Sequence, residues 1–104
     1  MYNVILVCQH GASTDLLSEK MDEAAKEQGI DMIVNAYPYN KLDQYIDEAD
    51  IVLLAPQVRF KKNFFEEQYS DKDIQFLVID TVDYGMLNGK SVVKKTLEAL
   101  KVKK

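Results

Sequence analysis

The sequence predicts an α/β fold in which helices cover both faces of a parallel β-sheet. Short apolar runs, β-branched in part, alternate along the chain with stretches of helical periodicity, and that alternation is the mark of βαβ units. The first and third runs, Val4-Ile5-Leu6-Val7 and Ile51-Val52-Leu53-Leu54, do not alternate apolar with polar residues. Strands of that kind are covered on both faces.

The elements follow in order. After the first run comes Gly11, and Ser13 or Thr14 is placed to cap a helix reaching to about Gln28. Leu16, Leu17, Met21, Ala24 and Ala25 recur there at helical spacing, and Gly29 supplies the stop. Met32-Ile33-Val34 reads as a second strand, ended near Tyr37-Pro38, and residues 43–48 as a short helix with Leu42, Tyr45 and Ile46 inward. The third run ends at Ala55-Pro56. From Arg59 to Tyr69, Phe60, Phe64 and Phe65 share one face of a predicted helix and are expected to fill core. Residues 74–79 form the fourth strand, 80–88 a loop, and the last helix carries Val92, Val93, Thr96, Leu97 and Leu100 on one face. With no repeat, linker or low-complexity segment, residues 1–104 are expected to form one domain.

Composition narrows the function. At 104 residues, 47% of them apolar, the chain can bury a core without a disulfide or metal. A net charge of −4 argues against nucleic-acid binding, and Lys94, Lys95, Lys101, Lys103 and Lys104 read as a solvated helix end. Met1 leads straight into a strand-like run without the basic start and cleavage site of a signal peptide. The apolar runs are too short to span a bilayer, so no direct membrane insertion is expected. The single cysteine fits a reducing compartment, so a cytoplasmic protein is expected.

In open α/β sheets, ligands bind beyond the carboxyl ends of the strands. Three loops qualify: residues 8–14, 55–59 and 80–88. The first reads Cys8-Gln9-His10-Gly11-Ala12-Ser13-Thr14 and lies between a strand and a helix start. The first N–H groups of a helix lack internal partners and carry the positive end of its dipole. A loop curling into them, with Gly11 permitting the tight path, makes an anion nest, and Ser13 and Thr14 add hydroxyl donors. A thiolate is favoured where negative charge is favoured, and the same nest then holds a phosphate on sulfur. Cys8 therefore reads as a nucleophile toward phosphorus. A lone cysteine is more often an inert buried residue; the glycine and the two hydroxyls at a helix start tip the balance.

Spacing excludes several competitors. A low-molecular-weight tyrosine phosphatase places an arginine six residues after its cysteine, where this chain has Thr14, and the one arginine is Arg59. Without a guanidinium fork in the loop, the transition state for hydrolysis is less well stabilised. Gly89-Lys90-Ser91 resembles the end of a nucleotide-binding loop, but Tyr84 stands where that motif needs glycine, and Gly85 comes one residue late. There is no GxGxxG, no CxxC and no set of residues with metal-ligand spacing, so neither cofactor nor metal is expected.

The run Cys-x-x-Gly-x-Ser-Thr, followed by Leu16-Leu17 and Met21, resembles the IIB proteins of the lactose/cellobiose class of the phosphoenolpyruvate-dependent sugar phosphotransferase system. The resemblance continues through Ala49-Asp50-Ile51-Val52-Leu53-Leu54-Ala55-Pro56-Gln57, Val78-Ile79-Asp80 and Tyr84-Gly85, and so covers essentially the whole chain. It implies a four-stranded parallel sheet in the order 2-1-3-4, akin to the low-molecular-weight phosphatases. It also implies that a phosphohistidine of a IIA protein donates to Cys8. The phosphate then passes to a sugar of the cellobiose, lactose or chitobiose type, presented by the membrane IIC protein. By matching positions, Gln9, His10, Gly11, Ala12, Ser13 and Thr14 form the phosphate loop.

Gln9 and His10 make this loop more polar than is usual in the family. His10 offers a proton shuttle beside Cys8, but the family does without it, and a solvated side chain is the expected role. Arg59 is expected at the exposed start of its helix in preference to a phosphate contact, and Asp80 in a cap or turn. Gln57 and Tyr84 lie in the other rim loops and are expected to support the nest. Two other readings remain. A cysteine-dependent phosphatase or arsenate-reductase-like enzyme lacks its loop arginine and resolving cysteine. A receiver-like anion sensor lacks the acidic pair at the end of its first strand.

Overall fold

In the computed structural model, which describes residues 1–9 and 12–102 and only the backbone at 12, 13 and 102, the first apolar run becomes strand β1 (Tyr2–Cys8). Its neighbours are β2 (Met32–Pro38) on one side and β3 (Ile51–Leu54) on the other, and β4 (Gln75–Val78) completes the order β2-β1-β3-β4. All pairings are parallel: Leu6 lies opposite Ala36 and Leu53, and Leu53 opposite Leu77. Parallel neighbours cannot be joined by tight hairpins, so each connection crosses a face of the sheet. The connections carry α1 (Ala12–Glu27), α2 (Leu42–Tyr45) and α3 (Lys62–Gln68), and α4 (Thr81–Gly85) and α5 (Gly89–Val102) follow β4.

The side-chain alternation of β1 explains why helices are needed on both sides. Val4 and Leu6 enter a core with Leu17, Met21, Ala24 and Ala25 of α1 and Val92 and Val93 of α5. Ile5 and Val7 enter the opposite core, with Leu42, Ile46, Val58, Phe65, Tyr69 and Phe76. Truncating a fully buried residue such as Leu6 to alanine costs about 2–5 kcal/mol, depending on how far the site collapses.

Two glycines fix the first of these cores. Gly29 ends α1 with φ +70°, where Gly29 N–H donates to Lys26 O at 3.1 Å and Ile30 N–H to Ala25 O at 2.8 Å. That pair of bonds is a Schellman stop, for which a residue without Cβ is best suited. Gly89 opens α5 against the backbone of α1: a Cβ there would stand 2.5 Å from the Lys20 carbonyl carbon.

Several local expectations change. Helix α1 begins at Ala12, so Ser13 and Thr14 lie inside its first turn and do not cap it. The helix expected over 43–48 is α2 flanked by 3-10 turns, Tyr39–Lys41 and Ile46–Glu48. Leu42 and Ile46 are buried there, whereas Tyr45 is half-buried and stacks on Tyr37 with ring centroids 3.9 Å apart. The 80–88 loop contains α4, because Asp80 caps it: its Oδ2 accepts from Val82 N–H at 3.1 Å and Asp83 N–H at 3.2 Å.

The largest correction concerns the phenylalanines. A 3-10 turn (Pro56–Lys61) precedes α3, with Val58 at non-helical φ −115°, ψ 19°. The turn advances the chain out of phase with a continuous helix, so Val58 takes the inward position. Phe60 and Phe64 are 67% and 51% exposed, and of the three only Phe65 is buried, against Tyr69 and Phe76. Lys61 Nζ lies 4.2 Å from the Phe64 ring centre, a cation–π contact that partly covers the ring.

Candidate active site

The sheet register brings the ends of three strands to one rim. Val7 pairs with Leu54, and Leu54 with Val78. One step further, Ala55 N–H donates to Val7 O at 2.9 Å and Ile79 N–H to Leu54 O at 2.8 Å. Cys8, Ala55 and Ile79 therefore stand at the carboxyl edge, and Gln9, the turn 56–61 and residues 80–85 follow them at that rim. The chain leaves β1 toward β2 on one side, and β3 lies on the other. Cys8 thus occupies the point where strand order reverses, the place where open α/β sheets bind ligands.

Cys8 is 4% exposed and belongs to the core that holds Val7, Ala55 and Val58. It is deeper than a residue at a loop mouth, yet it is not sealed in hydrocarbon. Its Sγ lies 3.0 Å from Oγ1 of Thr14, a fully buried hydroxyl and the third residue of α1. A 16-residue helix thus starts directly behind the sulfur, and the positive end of its dipole lies at that start. Gln9 is exposed. His10 and Gly11 lie outside the described residues, as do the side chains of Ala12 and Ser13.

The remaining rim residues have defined settings. Gln57 is exposed, and the Arg59 guanidinium donates to Pro56 O at 3.2 Å within its own turn. Asp80 is the cap of α4, as its turn reading anticipated. Tyr84 is half-buried and packs against both cores, seating α4 over the rim. Val82 in α4 and Met86 just past its end, four residues apart, are 64% and 75% exposed. Among the described residues, no three His, Cys, Asp or Glu side chains gather as metal ligands, and no helix is long and apolar enough to cross a membrane.

Asp83 is a structural residue that sequence reading passed over. It is buried, and its Oδ2 accepts from Lys95 Nζ at 2.8 Å and Ser91 Oγ at 2.9 Å. The hydrogen bond from Lys95 holds its carboxyl below the usual carboxylate range, with Ser91 assisting and burial opposing. The signal available in the sequence was the pair Ser91 and Lys95, four apart on one helical face, opposite an acidic residue on the preceding turn. Asp83 ties α4 to α5.

A four-stranded parallel sheet in the order 2-1-3-4, covered by helices on both faces, is the low-molecular-weight-phosphatase type of fold. The chain belongs to the lactose/cellobiose-specific IIB subunit family of the sugar phosphotransferase system, whose family model matches residues 3–95. It is 34% identical over 100 residues to an oligo-beta-mannoside-specific EIIB component of Bacillus subtilis, covering 96% of this chain and 97% of that one. It is also 34% identical over 95 residues to a galactose-specific EIIB component of Lactococcus lactis, covering 86% and 88%. A solution structure of a cellobiose-specific IIB component from Borrelia burgdorferi matches with TM-score 0.80 and 37% identity, covering 98% of this chain and 94% of the other. As an EIIB component, the protein is a phosphotransferase.

Proposed function

We propose that Cys8 carries the phosphoryl group between a IIA subunit and a sugar. The sulfur attacks the phosphorus of a IIA phosphohistidine. A P–S bond forms as the P–N bond breaks, and the thiol proton ends on the released imidazole nitrogen. A hydroxyl of a sugar held by the IIC membrane subunit then attacks the same phosphorus. The P–S bond breaks, and the hydroxyl proton returns to sulfur. The sugar is of the cellobiose, lactose or chitobiose type, and residues 1–104 act as one IIB domain on the cytoplasmic side.

The observation that carries this reading is the place of Cys8, at the strand-order reversal with the start of α1 and the Thr14 hydroxyl directly behind its sulfur. The backbone of Gln9, His10, Gly11, Ala12, Ser13 and Thr14 holds the phosphoryl oxygens, as helix starts hold anions. Arg59, turned onto its own Pro56 carbonyl, leaves the loop without a guanidinium. That favours holding and passing on phosphate over hydrolysing it. A donor imidazole reaches the sulfur only across the rim, so Phe60, Val82 and Met86 present apolar surface to the IIA subunit.

The test is incubation with a phosphorylated IIA protein. A phosphothiol should form on the wild type, seen by intact mass and peptide mapping, and it should be lost in Cys8→Ser. Relay of phosphate to sugar by Cys8→Ser would sink the proposal.

A further inference from the structure

We infer that the Thr14 hydroxyl sets how readily Cys8 gives up its phosphoryl group; the inference rests on the phosphocysteine reading above. Thr14 is wholly buried, and its Oγ1 stands 3.0 Å from a sulfur that is itself almost wholly buried. Its backbone belongs to the first turn of a long helix, and a β-branched side chain in a helix has few rotamers. The hydroxyl is therefore held at the sulfur by the fold.

A hydroxyl both donates and accepts, so it serves the two states of the unphosphorylated cysteine, accepting from S–H and donating to S⁻. Hydrogen bonds to a charged acceptor are roughly twice as strong as neutral ones. A sulfur esterified to phosphorus carries no such charge and is a weak acceptor. The contact thus favours the released sulfur, whether S⁻ or the S–H it becomes, over the phosphothiol, and it strengthens as charge grows on sulfur while the P–S bond breaks. Interactions that strengthen in this way accelerate the step in which the charge develops. Thr14 is thereby a positioning residue that favours release of phosphate toward the sugar and opposes its retention.

The experiment compares wild type, Thr14→Val, Thr14→Ala and Thr14→Ser, each phosphorylated by excess IIA and then given the IIC-bound sugar. Removing the hydroxyl should shift the IIA–IIB partition toward phosphorylated IIB by about 10–100-fold, which is about 1.4–2.8 kcal/mol. The kcat for transfer to sugar should fall by a comparable factor with the KM for sugar unchanged, and Thr14→Ser should restore both. Thermal unfolding of each variant shows which are folded, and Thr14→Ala serves if valine is not accommodated. Wild-type partition and kcat in a folded hydroxyl-free variant would overturn the inference, as would a folded Thr14→Ser as impaired as Thr14→Ala. Failure of the underlying reading shows separately, as phosphate carried by Cys8→Ser.

Discussion

Replacing Gly89 by alanine places a methyl group where the fold has no room. The added Cβ would lie 2.5 Å from the Lys20 carbonyl carbon, 2.6 Å from its oxygen and 2.7 Å from Met21 N. Ordinary carbon contacts lie at about 3.5–4.0 Å, so the overlap is about 1 Å. The atoms it meets are backbone in the middle of α1 and have no rotamer into which to retreat. Helices α1 and α5 must separate along the face where Met21 and Ala24 meet Val92 and Val93.

Overpacking of this kind costs about 1–3 kcal/mol and at times more. The gain in helix propensity is under about 1 kcal/mol, so a net loss of about 2 kcal/mol is expected. For a chain of this size that lowers Tm by roughly 8–16 °C and moves the urea midpoint down by about 1 M. The control is Gly85→Ala at the end of α4, where a Cβ meets nothing within 4 Å; it should stay within about 0.5 kcal/mol of wild type. Urea unfolding followed by circular dichroism reads both. Equal midpoints for the two variants would refute the close approach of α5 to α1.

Other consequences are open to measurement. Gly29→Ala keeps its space but is forced to φ +70°, at about 1 kcal/mol by the same denaturation assay. Asp83 in the folded state is held below its ordinary pKa of 3.8 by Lys95 and Ser91. Its stabilising contribution is thus fully present above about pH 4 and is lost as pH falls through the lower folded value. Asp83→Asn should therefore be less stable than wild type near neutrality, and the gap should close in acid; a gap of constant size from pH 7 to pH 2.5 would contradict the assignment. Val82→Asp and Met86→Lys alter exposed side chains on the rim, so both should lower kcat/KM for phosphorylated IIA about tenfold or more while leaving unfolding unchanged. Unaltered transfer kinetics in both would place the donor elsewhere.

The sheet was readable because its evidence is dense: two runs of β-branched and leucine residues with no polar interruption can only be central strands. The rim was readable because the strand ends follow from that register. What escaped lay where short-range geometry overrides periodicity. Phe60 fits a helical face with Phe64 and Phe65, but the proline-led 3-10 turn changes the phase before α3 begins, and a period of 3.6 cannot register that. Helix α4 is five residues long, too short to show periodicity, and it is held by the Asp80 cap and the Asp83 tether. The burial of Cys8 was half visible. A residue at the end of a central strand is expected to be deep, but its hydroxyl neighbour comes from six residues on, a pairing that no periodicity marks.

Strand β1 lies in the middle of the sheet while standing first in the chain, and that has a consequence for how the protein comes into being. Residues 4–7 pair on one side with β2 and on the other with 51–54, a contact closed only after half the polypeptide exists. Non-local pairings of this kind form late and slow folding. A nascent chain that has emerged only to β2 would leave one flank of β1 bare and the sulfur without its Ala55 and Val58 wall. The buried setting of the Cys8 sulfur is therefore completed only once residues 51–58 are in place, and a product truncated before them would lack it.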